Sequence, residues 1–148
     1  MQAREIMTEN PVCCLPSDNL VSAAQKMRDN GCGILPVVED YGGNRLVGVV
    51  TDRDIVCRII AVGMDCNTAA VQNAMTTGRL WSVKPNASID EVIEKMEEGQ
   101  VRRIPVVDDT GRVQGIISTA DIALELDEPD EIAEVFEEIS EPTHIPHA

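Results

Sequence analysis

The stretch Gly48-Val49-Val50-Thr51-Asp52-Arg53-Asp54 returns later as Gly115-Ile116-Ile117-Ser118-Thr119-Ala120-Asp121. Each copy reads as a glycine, two β-branched residues, a hydroxyl residue and an acid three positions on. Working outward, the likeness continues. Met7-Thr8 recurs as Met75-Thr76 at an offset of 68. Pro16 recurs as Pro85, Met27 as Met96, and Pro36-Val37-Val38 as Pro105-Val106-Val107, all at 69. Gly42 matches Gly111, and from Gly48 the offset becomes 67. The two-residue difference therefore falls in one turn. The chain holds two copies of a unit of about 55 residues, a size that is uncomfortable alone, so the copies are expected to bury apolar faces against each other.

In the second copy, Ser88-Ile89-Asp90-Glu91 is a capping box, and Ile89, Val92, Ile93 and Met96 follow at helical spacing. Gly99 is expected to stop that helix. Ile104–Val107 reads as a short strand, Asp108-Asp109-Thr110-Gly111 as a turn, and Val113–Ile117 as the return strand. A helix then runs from Ser118 or Thr119 to Leu126, and a short strand near Trp81–Val83 precedes everything. The first copy repeats the order: strand Val12–Leu15, helix Asn19–Asp29, strand Leu35–Val38, strand Leu46–Val50, and a helix to about Ala61. The fold class is α/β, two β-α-β-β-α repeats. The expected boundaries are 1–61 for the first repeat, 62–72 for a linker, 73–126 for the second repeat and 127–148 for a tail. In the tail, Ile132, Val135, Phe136 and Ile139 mark an acidic amphipathic helix between Pro129 and Pro142, expected to dock on this molecule or a twin.

Composition narrows function. The 148 residues carry 26 acids and 12 bases, a net charge of −14, and only three aromatics, Tyr41, Trp81 and Phe136. The core must be aliphatic. Residues 127–148 hold eight acids and no Lys or Arg. Neither nucleic acid nor an anionic membrane finds a basic footprint here. No apolar run approaches the roughly 18 residues of a spanning helix, and Met1–Glu9 does not read as a secretory signal. The five cysteines include no C-x-x-C pair, which reads as a reduced, cytoplasmic chain.

Enzymatic constellations are nearly absent. His144 and His147 are the only histidines, so no core His pairs with a nucleophile. The cysteines lack zinc spacing, and no metal site is expected. On a strand, Cys13 and Cys14 would point to opposite faces, placing at most one in the core. The repeated [ST]-x-x-D has two readings. It is a helix cap, which the spacing alone favours. It also sets a hydroxyl beside free helix N–H groups, where phosphate binds, with an Asp one turn in to accept ribose hydroxyls.

The two copies resemble CBS domains over about residues 3–126. The likeness rests on Glu5-Ile6-Met7-Thr8 and Asn73-Ala74-Met75-Thr76, the Pro-Val-Val strands, the glycine before each return strand, and the duplicated [ST]-x-x-D. Thr51-Asp52-Arg53-Asp54-Ile55 and Val101-Arg102-Arg103-Ile104-Pro105-Val106 are similar to stand-alone prokaryotic CBS pairs. The resemblance implies a pseudo-twofold pair, a regulatory module and not an enzyme. Its cleft would take AMP, ADP, ATP or S-adenosylmethionine. It implies that Asp54 and Asp121 hold ribose and that Thr51 and Ser118 meet phosphate. Cys13, Cys14, Ser82 and Val83 would face adenine, Val101 would pack on it, and Arg103 with Arg102 would reach phosphate. Gly33 and Ile34 stand where the second copy has those arginines, and Arg53 stands opposite Ala120. A homodimer is expected, with Ile122 and Leu126 on its apolar face, and with output to another protein or to the dimer itself. The alternative is a nucleotide-independent protein-interaction or thiol-responsive module built on the adjacent cysteines.

Overall fold

The computed structural model describes residues 1–126 and 128–140; Asp127 and the end of the tail, with His144 and His147, lie outside them. The elements are α1 (Ala3–Ile6), β1 (Thr8–Glu9), α2 (Leu20–Asn30), β2 (Ile34–Val38), β3 (Leu46–Thr51), α3 (Asp52–Ile55) widening into a π-type turn over Val56–Ile60, α4 (Val71–Ala74), α5 (Ile89–Gly99), β4 (Arg103–Val107), β5 (Val113–Ser118), α6 (Thr119–Glu125) and α7 (Pro129–Ser140). The expected strands at Val12–Leu15 and Trp81–Val83 shrink to single parallel bridges, Cys14 to Val37 and Val83 to Val106.

The chain forms two compact units whose ends do not follow the sequence repeats. One unit joins Met1–Asn10 to Trp81–Thr110 and to the described residues from Gln114 to Ser140; the other holds Pro11–Leu80 with Gly111–Val113. The duplicated Met-Thr segments are thus exchanged. Thr8 and Glu9 of β1 pair antiparallel with Ile116 and Gly115 of the second repeat's β5. Thr76 pairs with Val49 of the first repeat's β3, through N–H···O bonds of 2.8 and 3.1 Å. The motif glycines are required by this approach. A Cβ on Gly48 would lie 2.8 Å from the Thr76 carbonyl oxygen, and one on Gly115 would lie 2.9 Å from that of Thr8 and 2.5 Å from Met7 Sδ.

Each unit has its own aliphatic core. The first-repeat core gathers Leu20, Met27, Leu35, Val37, Val50, Ile59 and Val71 around Cys14. The second gathers Ala3, Val92, Met96, Ile104, Val106, Ile117 and Ile122. Two expectations change here. Cys13 and Cys14 are both buried, at 8% and 0% exposure, because this segment lies beside β2 without continuous strand pairing and need not alternate. Ile122 is a core residue at 1% and Leu126 packs against the same core, whereas Leu124 is 84% exposed.

Helix ends follow local chemistry. Ser88 and Glu91 form the expected capping box on α5. The stop is Gln100, left-handed at φ 50°, and not Gly99. Gly31 takes that role for α2 at φ 60°. Gly99 serves a different purpose: the Trp81 indole lies against it, 2.7 Å from where a Cβ would stand.

Helix α7 docks within the second-repeat unit through Val135 and Ile139, while Phe136 of the expected stripe stays 37% exposed. Gln100 Nε2 donates both to the Glu97 carbonyl at 2.9 Å and to the Glu138 carbonyl at 3.0 Å, tying α5 to α7. The carboxyl of Glu97 is pushed up to about 7 by lost hydration first, then by its hydrogen bond and charge contact with Glu138, and by Glu134 and Glu94. A raised carboxyl means that the docked form holds its proton more tightly. The stabilisation is therefore full below the ordinary value of 4.5 and lost as pH rises through about 7. Limited proteolysis of residues 129–140 is expected to be faster at pH 8 than at pH 5, with Glu97→Gln removing the difference; equal rates for the native chain at both pH values would contradict this.

Candidate ligand-binding site

In the second-repeat unit, β5 ends and α6 begins at Ser118, whose backbone is extended at φ −108°. Its hydroxyl accepts from the Asp121 N–H at 3.2 Å, and its own N–H donates to Asp121 Oδ2 at 2.8 Å. The hydroxyl also donates to Oδ2 at 3.0 Å. This reciprocal cap satisfies donors that a helix start leaves free, and a cap of this kind is worth about 1 kcal/mol. It also fixes the Asp121 carboxylate by engaging Oδ2. The Thr119 N–H donates to the Arg102 carbonyl at 2.9 Å, which stitches Val101–Arg103 to the same helix start. Val101 is half-buried; Arg102 and Arg103 are exposed. Ser82 is half-buried beside β4, held by the bonds of Val83 to Pro105 and Val107 at 3.1 and 2.9 Å.

The first repeat builds the same junction from Thr51 and Asp54. The Thr51 hydroxyl accepts from the Asp54 N–H at 3.0 Å, and the Thr51 N–H donates to Asp54 Oδ2 at 3.0 Å. Its surroundings differ. The Asp52 N–H donates to the Gly33 carbonyl at 3.0 Å, and a Cβ on Gly33 would meet the Asp52 carboxylate at 2.9 Å. An acid therefore stands where the second repeat carries Arg102. Arg53 is exposed. Arg58 Nε lies 3.9 Å from Asp54 Oδ1. Its Nη1 donates to the Ala74 and Met75 carbonyls at 2.9 and 3.2 Å and contacts Thr76 Oγ1 at 3.2 Å.

Sequence reasoning placed Ser118, Asp121, Val101, Arg102, Arg103 and Ser82 in one neighbourhood, and the structure keeps them in one unit. Thr51, Asp54, Arg53, Cys13 and Cys14 fall in the other. Val83 and Cys14, expected beside the base, are buried at 6% and 0% exposure and pack into the two cores. Sequence reasoning took Asp52 as a helix-start acid beside Asp54 and missed its approach to Gly33, and it missed Arg58. Arg58 was legible, since it stands four residues after Asp54 on a helix, where opposite charges meet. Asp52 was not, because its partner Gly33 is distant in sequence.

A CBS-domain family model matches residues 3–61 and again 71–128. The chain belongs to the CBS-domain family, as a tandem pair. Hypoxic response protein 1 of Mycobacterium tuberculosis is 43% identical over 126 residues, covering 85% of each chain. The crystal structure of Hypoxic Response Protein I with two coordinated zinc ions matches with a TM-score of 0.76 and 42% identity, over 85% of this chain and 99% of that one. CBSX2, solved in complex with AMP, shares the fold with a TM-score of 0.73 at 23% identity, over 86% of this chain and 99% of that one. Among the described residues of this CBS pair, no group of three or more His, Cys, Asp or Glu side chains stands ready to hold a metal ion.

All five cysteines are free. Burial pushes the Cys14 thiol up to about 12 and raises Cys13, against a smaller opposing pull from Lys26. The thiolate is the reactive form, so the adjacent pair is chemically quiet. N-ethylmaleimide at pH 8 is expected to modify the half-buried Cys32, Cys57 and Cys66 first and to reach Cys13 and Cys14 only on denaturation. Early labelling of Cys13 or Cys14, read by peptide mass spectrometry, would revive a thiol-responsive role.

Proposed function

We propose that this protein is a regulatory sensor, not an enzyme, whose second repeat binds an adenosine nucleotide (AMP, ADP or ATP) or S-adenosylmethionine and signals to a partner protein or through its own dimer. Membership of the CBS family supports a regulatory ligand-binding module. The observation that carries the finer reading is the stitched helix start. Thr119 binds the Arg102 backbone, so two exposed arginines flank the capped Ser118–Asp121 junction. Phosphate is drawn to charged guanidinium donors. Asp121 Oδ1 is positioned to accept ribose hydroxyls, and Val101 with Ser82 offers an edge for the base. In the first repeat, Thr51 and Asp54 repeat the cap, but Asp52 opposes phosphate, and Arg58 is already engaged with Asp54 and with the Ala74 and Met75 carbonyls, which leaves Arg53 to favour it. The second-repeat site is therefore the tighter one.

Calorimetry with AMP and adenosine tests this. A ligand at about 100 times its dissociation constant adds roughly 2.7 kcal/mol of stability, a clear rise in melting temperature. Asp121→Ala is expected to abolish the main binding event and Asp54→Ala to spare it. Arg103→Ala is expected to weaken AMP by about 1.5–3 kcal/mol while leaving adenosine nearly unchanged. No response to AMP, ADP, ATP or S-adenosylmethionine at millimolar concentration would overturn the nucleotide reading.

We also propose a homodimer in a cytoplasmic setting. Val56, Ile60, Val62 and Met64, all 42–64% exposed, form a run of uncovered apolar side chains after α3, and such surface favours association. Among the described residues no helix is long and apolar enough to cross a membrane. Light scattering at micromolar concentration is expected to give twice the 16.1 kDa chain mass, falling towards the monomer in Val56→Asp/Ile60→Asp; a monomeric native chain would contradict the dimer.

A further inference from the structure

The two motif aspartates are chemically unequal. Each spends Oδ2 on its own cap: Asp54 on the Thr51 N–H at 3.0 Å, and Asp121 on the Ser118 N–H at 2.8 Å. What remains for a ligand is Oδ1. In the first repeat Arg58 stands 3.9 Å from that oxygen, with Asp54 only 15% exposed. The guanidinium is not loose. Its Nη1 is anchored by the carbonyls of Ala74 and Met75 at 2.9 and 3.2 Å and by Thr76 Oγ1 at 3.2 Å. Those carbonyls close the C-terminal end of α4. Four residues after Asp121 the second repeat has an exposed acid, Glu125. Among the described residues no base forms an ion pair with Asp121.

We infer that Arg58 decides which repeat binds ligand, by pairing its charge with the uncommitted carboxylate oxygen of Asp54 and leaving Asp121 as the one motif aspartate open to a ribose. A ribose hydroxyl at Asp54 would have to compete with an anchored cation for that oxygen, a competition that Asp121 does not face. This rests on the nucleotide reading above and adds to it the residue that sets one site per chain. Asp52 beside Gly33 opposes phosphate, so it acts on nucleotides only. Arg58 acts on the ribose and therefore discriminates against adenosine as well.

Two substitutions test it. In titrations with AMP the native chain is expected to take one molecule, and Arg58→Gln to take a second, weaker one that Asp54→Ala removes. Glu125→Arg makes the converse change at an exposed position, and is expected to weaken adenosine, which has no phosphate to attract the new charge, by at least tenfold. Two sites in the native chain would overturn the inference, as would one site in both the native chain and a folded Arg58→Gln. Unchanged adenosine affinity in Glu125→Arg would also overturn it, and that variant decides the matter if Arg58→Gln does not fold. If the native chain takes no AMP but Arg58→Gln takes one through Asp54, the inference stands and the second-repeat reading falls; if neither chain binds, both fall.

Discussion

The reciprocal bond between a hydroxyl residue and the aspartate three positions later is the constraint on which the rest of each repeat depends. It turns the chain from strand to helix at Thr51 and at Ser118 while pairing the N–H of the aspartate and that of the cap residue itself. The strand before it carries a glycine, Gly48 or Gly115, that admits a second backbone, that of Thr76 or Thr8. Within seven residues the chain thus fixes a strand, its neighbour and the helix that follows. The carboxylate involved is held at the helix start with one oxygen committed and one not. The same bonds that make the turn therefore present a pre-positioned acceptor, so the cap and the ligand readings of the motif describe one geometry.

Duplication then allowed the two junctions to diverge while the folds stayed alike. The first repeat surrounds its junction with Asp52 against Gly33 and with Arg58 on Asp54. The second has Thr119 and Glu125 at those places and two arginines where the first has Gly33 and Ile34. Each change is tolerated because it falls outside the aliphatic core. The result is a closed electrostatic network in one copy and exposed cations beside a capped carboxylate in the other.

The tail adds a second kind of control. Its apolar positions, Val135 and Ile139, secure it to the second core, while its acids face those of α5. Packing holds together surfaces that charge drives apart, so protonation of Glu97 changes the balance without altering the buried contacts.

Local order was legible in the amino-acid sequence. Spacing of Ile89, Val92 and Met96 marked α5, the box at Ser88 and Glu91 marked its start, and the seven-residue motif marked both strand-to-helix turns. These features arise between residues a few positions apart, where bonding rules act directly. The family likeness was legible too, because it lies in short motifs repeated in order. The tertiary structure alone decided the exchange of Met7-Thr8 and Met75-Thr76 between units, the burial of both Cys13 and Cys14, the end of α5 at Gln100, and the opposition of Asp52 to Gly33. Each of these depends on segments that meet from distant parts of the chain, and no local pattern records which backbone will arrive or how closely it will pass.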